Sequence, residues 1–166
     1  MKKIILILFT LLQFPANAKD LPPSSYWHGE ERTLRYIPEG EEFVITNGNK
    51  RFTRAIYGTN TGFRFETSDF PEFGLYMPNL GGSVYMAIST PSNITWIKDM
   101  EFIESRFKSG QRTYIVRDRR HLGNGSLTID AVAMSDGDGL VVRYKAKDIP
   151  AGTKILWIYG GANNQK

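Results

Sequence analysis

Ser126-Leu127-Thr128-Ile129-Asp130-Ala131-Val132-Ala133-Met134, then Asp136-Gly137-Asp138-Gly139, then Leu140-Val141-Val142-Arg143-Tyr144-Lys145-Ala146 is the stretch that decides the fold. On an extended chain Leu127, Ile129, Ala131 and Ala133 share one side, while Thr128, Asp130, Val132 and Met134 share the other. That period of two belongs to a strand and not to a helix. Beyond the turn, Leu140, Val142, Tyr144 and Ala146 alternate with Val141, Arg143 and Lys145 in the same manner. The intervening acids and glycines are turn formers, so the segment predicts an antiparallel hairpin with one apolar face.

The same rhythm runs outward from this hairpin. Strands are predicted at Glu42 to Thr46 and Arg51 to Tyr57, paired across Asn47-Gly48-Asn49-Lys50, where Asn and Gly suit a tight turn. Gly62 to Thr67 alternates Phe63 and Phe65 with Arg64 and Glu66. Phe73 to Met77 and Ser83 to Ile88 follow, parted by Pro78-Asn79-Leu80-Gly81-Gly82 with Gly82 freeing the turn. Ile94 to Ile97, Glu101 to Phe107 and Arg112 to Arg117 continue the series, with Ser109-Gly110 as a hairpin tip. Lys154 to Tyr159 is nearly all apolar, which predicts a strand inside a sheet, and Trp96 and Trp157 are expected in the core. Helical periodicity is nowhere sustained. About ten or eleven strands with short connections imply an all-β fold, an antiparallel β-sandwich.

The N-terminus sets the expected compartment. Lys2 and Lys3 precede an apolar run from Ile4 to Leu12, and Ala16-Asn17-Ala18 has the small-x-small form of a cleavage site, so residues 1–18 read as a secretory signal peptide. The expected product is secreted or periplasmic, with no membrane association after cleavage. Residues 19–25 form a linker around Pro22-Pro23, and one sandwich domain is expected over 26–166, its C-terminal side left open for completion because the chain stops after a strand. Without cysteine the fold has no disulfide and must be held by burial. The formal charge of +4 includes two leader lysines, and the remaining basic residues are interspersed with acids, so nucleic acid is not an expected partner.

Candidate chemistry is sparse. His28 and His121 are the two histidines, too few to advertise a zinc site, and neither a metal nor a cofactor is expected. Asp118-Arg119-Arg120-His121 can be read as a general acid beside an anion clamp or as a charged, solvated loop. Asp136-Gly137-Asp138-Gly139 lacks the length and terminal glutamate of a calcium loop. Glu66, Asp69 and Glu72 form the one tight acidic group, but strand alternation scatters their directions, which leaves no expected glycosidase acid and base pair. No catalytic residue is assigned. Between Arg54 and Arg64 a strand feeds a small polar loop bounded by Gly58 and Gly62. Arg54, Tyr57, Asn60 and Arg64 there combine directional donors with a flat ring, a set suited to saccharide hydroxyls or uronate carboxylates. The alternative is a simple turn with Tyr57 and Phe63 in the core.

Lys50-Arg51-Phe52-Thr53-Arg54-Ala55-Ile56-Tyr57-Gly58-Thr59-Asn60-Thr61, with Phe70-Pro71-Glu72-Phe73-Gly74-Leu75-Tyr76-Met77-Pro78 and Leu80-Gly81-Gly82, resembles an N-terminal domain family of unknown function. That family heads large secreted six-hairpin glycosidase-like proteins of glycan-degrading bacteria. Leu140-Val141-Val142-Arg143-Tyr144 and Ile155-Leu156-Trp157-Ile158-Tyr159-Gly160-Gly161-Ala162 resemble the supersandwich strands that precede such helical barrels. The resemblance implies a shortened or split member, an accessory and noncatalytic β domain of a polysaccharide-degrading protein. Its implied partners are an oligosaccharide or polysaccharide and a helical barrel domain outside this chain. A stand-alone carbohydrate-binding module and a small glycoside hydrolase are the competing readings.

Overall fold

The computed structural model describes residues 34–163, which belong to one compact unit. The expected leader over 1–18, the linker over 19–25 and His28 lie outside the described residues. Twelve strands form in chain order: β1 (Ile37–Glu39), β2 (Glu42–Thr46), β3 (Arg54–Ile56), β4 (Arg64–Thr67), β5 (Phe73–Met77), β6 (Leu80–Ser89), β7 (Ile94–Trp96), β8 (Phe102–Lys108), β9 (Gln111–Arg117), β10 (Ser126–Ala133), β11 (Leu140–Lys147) and β12 (Lys154–Asn163). A single turn of 3-10 helix, Ile97–Asp99, joins β7 to β8. The strands make two antiparallel sheets, one ordered β1-β2-β8-β9-β10-β11 and the other β12-β6-β5-β4-β3, with β7 paired to the far end of β6. The all-β sandwich read from the alternation is therefore the fold, with the short β1 as the strand that the sequence pattern did not announce.

Alternation decides which side chains meet between the sheets. Leu127, Ile129 and Ala131 of β10 are fully buried, as are Tyr114 and Val116 of β9 beside them, and they face Phe65, Phe73 and Ile88 of the other sheet. Phe73 packs edge-on to Phe65 at 5.8 Å between ring centroids and lies 6.2 Å from Tyr114. The expected β10–β11 hairpin forms, with Ile129 opposite Tyr144 and Ala133 opposite Leu140.

Three expectations need correcting. The segment 42–46 does not pair with 51–57: β2 pairs with β1 and β8, and β3 with β4. Asn47, at φ 48°, accepts the Ile103 N–H on its side-chain oxygen and donates its own N–H to the Ile103 carbonyl. Lys50 and Asp69 then exchange hydrogen bonds at 2.9 and 2.8 Å. These turn residues thus carry the chain from one sheet to the other. In the second case, Pro78 and Asn79 alone make the β5–β6 turn, with Asn79 at φ 66° and Met77 paired to Leu80. Gly82 lies within β6.

The third correction concerns the C-terminal strand. β12 sits at the edge of its sheet and extends through the glycines, with Gly161 opposite Gly82 and Asn163 opposite Leu80. Its apolar run reflects a strand whose inward residues, Ile155, Trp157 and Tyr159, are in register with buried Ile88, Met86 and Val84. Across the sandwich, β11 reaches as far as Met86, whose sulfur accepts the Tyr144 hydroxyl at 3.1 Å. Among the described residues nothing covers β12 beyond that point. Trp157 is therefore 68% exposed on a face that is core one strand away, and Trp96 is 39% exposed on β7.

Candidate functional site

A cleft of about 590 Å³ opens where the β5–β6 turn, β12 and the β10–β11 turn converge. Phe63, Leu75 and Tyr159 supply its apolar wall and Asp138 its carboxylate, while Tyr76, next to Leu75 along β5, turns its ring to the opposite face of the sheet beside Arg64. Tyr159 lies flat because β6 and β12 present glycine to it. A Cβ on Gly82 would stand 2.4 Å from the Tyr159 hydroxyl oxygen, and one on Gly161 would stand 2.9 Å from the same atom. The ring fills the trough left by two glycines, and 57% of the residue stays exposed.

The four residues singled out from the sequence divide around this cleft. Arg64 points outward from β4, where its guanidinium stacks 3.9 Å from the centre of the Tyr76 ring and its Nε donates to Glu66 at 2.6 Å. The hydrogen bond from Arg64 to Glu66 raises the guanidinium pKa above its ordinary value, with smaller contributions from Tyr57 and Tyr76. Asn60 sits in an exposed loop tethered to the cleft, since the neighbouring Thr61 hydroxyl donates to Asp138. Tyr57 is exposed, while Phe63 is buried. Arg54 lies apart. It shares the inward side of β3 with Ile56 and rests against the rings of Tyr36 and Phe107, at 5.5 and 5.6 Å. Alternation in the sequence distinguishes Arg64 from Arg54, but Asp138 and Tyr159 come to the cleft from distant segments and were missed.

The acidic group is separated by its partners. Glu66 holds Arg64, Glu72 binds Arg51 at 2.8 Å, and Asp69 is buried against Arg112 at 3.7 Å. No two of these carboxylates are left facing one another as an acid and a base.

Asp118-Arg119-Arg120-His121 adopts a more organised form than a solvated loop. Asp118 follows β9, and its carboxylate accepts the N–H groups of Arg120 and His121 on Oδ1, at 2.9 and 3.0 Å, and of Glu101 on Oδ2 at 3.1 Å. Burial pushes this carboxyl pKa up, but the Glu101 N–H and the His121 contacts outweigh it and hold the group below the ordinary aspartate value. His121 Nδ1 lies 2.8 Å from Asp118 Oδ1, and Nε2 lies 2.9 Å from the Thr95 hydroxyl. These groups line a second cavity, of about 690 Å³, at the other end of β6. Thr95 precedes His121 by 26 residues, and no local motif links them. Among the described residues no group of three metal-ligating side chains occurs and no helix is long and apolar enough to cross a membrane.

The fold and the cleft define a twelve-strand antiparallel β-sandwich with an aromatic-lined groove at an uncovered strand edge. Residues 77–166, more than half of the chain, match a family described as a domain of unknown function (DUF4450), and the chain belongs to that family. No curated protein and no solved structure matches the chain.

Proposed function

We propose that this chain is an accessory β-sandwich module of an exported, glycosidase-like polysaccharide-degrading protein, noncatalytic toward glycosidic bonds, which contacts saccharide at the cleft beside Tyr159. One observation carries this reading: the exposed Tyr159 ring, lying over two glycines, and the Asp138 carboxylate line an open groove. A flat ring buries the apolar face of a sugar, and Asp138 offers an acceptor for its hydroxyls. The separate pairing of Glu66, Asp69 and Glu72 weighs against the glycoside hydrolase reading. The resemblance of the chain to domains heading glycosidase-like proteins supports the polysaccharide context, and the uncovered inward face of β12 supports a module that is completed by a further β element, in a helical barrel protein or its equivalent.

The test is affinity electrophoresis of the purified chain through gels containing xylan, β-glucan or polygalacturonate, followed by calorimetric titration with the best oligosaccharide. Retardation by one polysaccharide is expected, with affinity reduced roughly fivefold or more in Tyr159→Ala, in keeping with about 1 kcal/mol for an aromatic contact. Migration unaffected by all three, or binding indifferent to Tyr159→Ala, removes the cleft as a saccharide site. If binding is present and the chain stays monomeric, the stand-alone carbohydrate-binding module gains over the accessory one.

A further inference from the structure

The second cavity brings together the parts of an activated nucleophile. Three backbone N–H groups fix the Asp118 carboxylate, and the ionised oxygen facing His121 Nδ1 requires that nitrogen to carry the proton. In the neutral ring Nε2 then presents a lone pair, and the atom in front of it is the Thr95 hydroxyl at 2.9 Å, which donates to it in that form. A carboxylate that orients a histidine, and a histidine that accepts from a hydroxyl, is the arrangement by which an alcohol becomes a nucleophile at neutral pH. Asn93 adds a fourth part. Its Nδ2 lies 3.3 Å from Thr95 Oγ1 and 3.5 Å from His121 Nε2, so it is placed to donate to an oxygen developing beside the Thr95 oxygen.

The surroundings admit a substrate. Thr95 and His121 are part-buried and line the 690 Å³ cavity, whose wall also carries Arg119, Arg120, Asp99 and Glu101. Asp99 is engaged by Lys98 at 2.7 Å, and Arg119 and Arg120 have no ion-pair partner among the described residues. A purely structural turn needs the Asp118 carboxylate and the backbone it caps. It does not need a histidine lone pair aimed at a hydroxyl in an open cavity.

We propose that Thr95, His121 and Asp118 form a hydrolytic site for small acyl esters, with Asn93 as the oxyanion donor and an anionic group in the alcohol portion favoured by Arg119 and Arg120. Thr95 Oγ bonds to the acyl carbon as its proton passes to His121 Nε2, and the carbonyl oxygen takes the negative charge beside Asn93 Nδ2. The bond from carbon to the alcohol oxygen breaks, and the alcohol leaves with the proton from Nε2. Water then attacks the acyl-threonine, gives its proton to Nε2 and releases the carboxylic acid as that proton returns to Thr95. No electron acceptor or donor takes part.

The experiment uses the purified chain with 4-nitrophenyl acetate, read by nitrophenolate absorbance, and acid-quenched samples read by peptide mass spectrometry. Turnover above buffer is expected, with one acetyl group on Thr95 in the quenched protein. Thr95→Val, which keeps shape and loses the hydroxyl, should lower turnover by about a hundredfold or more, as should His121→Asn, while Thr95→Ser retains it. Asp118 acts as a positioning residue, so Asp118→Asn should lower kcat with KM and the far-ultraviolet spectrum unchanged. A wild-type rate equal to buffer overturns the proposal. Acetylation confined to lysines, or turnover that survives in a folded Thr95→Val protein, overturns it equally.

Discussion

At the residue scale the sandwich is pinned by one buried cation. Arg112 of β9 is fully buried, with Nη2 donating to the Ser68 carbonyl at 2.6 Å, to the Tyr36 hydroxyl and to Thr53 Oγ1 at 3.3 Å. Asp69 is its counter-charge, and Arg112 Nε and Nη1 have no hydrogen-bond partner among the described residues. A charge so poorly matched depends heavily on its remaining carboxylate. Asp69→Ala and Arg112→Met are therefore each expected to cost about 3–5 kcal/mol, since either leaves the other charge buried without its partner, and the double variant less than the sum of the two. Urea denaturation of the three variants measures the coupling, and strictly additive losses contradict it. Asp130 is a milder case. It accepts Thr113 Oγ1 at 2.8 Å and a two-pronged contact from Arg143 at 3.0 and 2.7 Å. Burial raises its pKa, but Arg143 and Thr113 prevail and lower it overall, as the contacts of Asp118 do there. A depressed folded-state pKa means that the stability is in place above the ordinary aspartate value and is lost as pH falls through the folded one. Unfolding free energy should thus decline below about pH 4, and less steeply in Asp130→Asn, a slope readable from urea midpoints at successive pH values.

At the scale of elements, β12 shows what alternation conveys and what it omits. The pattern Lys154 to Tyr159 fixes a strand and, through its period, which residues share a face. It carries no information on whether another strand lies opposite, so Trp157 reads as core while its ring stands in the open. Asn47-Gly48 had the chemistry of a hairpin, yet Gly48 is needed for another reason: a Cβ there would sit 2.4 Å from Asp69 Oδ2, across the passage between the sheets. Local turn propensity cannot distinguish those two uses. The hairpins β8–β9 and β10–β11 were legible because their partners are sequence neighbours, whereas the Thr95–His121 contact and the meeting of Phe63, Asp138 and Tyr159 are set by strand order. The glycine trough gives a test at this scale. Gly82→Ala places a methyl inside the Tyr159 ring and should displace it, at a cost of about 1–3 kcal/mol as for other overpacked sites. Thermal unfolding together with near-ultraviolet dichroism measures both effects, and an unchanged tyrosine signal would show that the ring does not need the glycines.

At the scale of the whole described sandwich, the two sheets differ in how their margins are finished. β1, at one margin, is three residues long and contains Pro38, which blunts it as a pairing edge, and the Arg106 guanidinium ties it to its neighbours through Glu39, Glu42 and Glu104. β12, at the margin of the other sheet, runs for ten residues, and none of its described side chains from Ile155 onward is charged. Leu156, Trp157, Ile158 and Tyr159 are all exposed. A long apolar edge with unpaired N–H and C=O groups is a template for another strand. The chain in isolation should accordingly associate as its concentration rises, and Ile158→Lys, which adds a charge to the edge without touching the inward ring of Trp157, should return it to monomer. Sedimentation velocity over a hundredfold range of concentration, about 1 to 100 μM, measures this in the regime where unprotected edges associate. A wild-type chain that sediments as a monomer throughout would mean that β12 is already covered within the molecule, and the case for a completing β element would then fail while saccharide binding at Tyr159 stood on its own test.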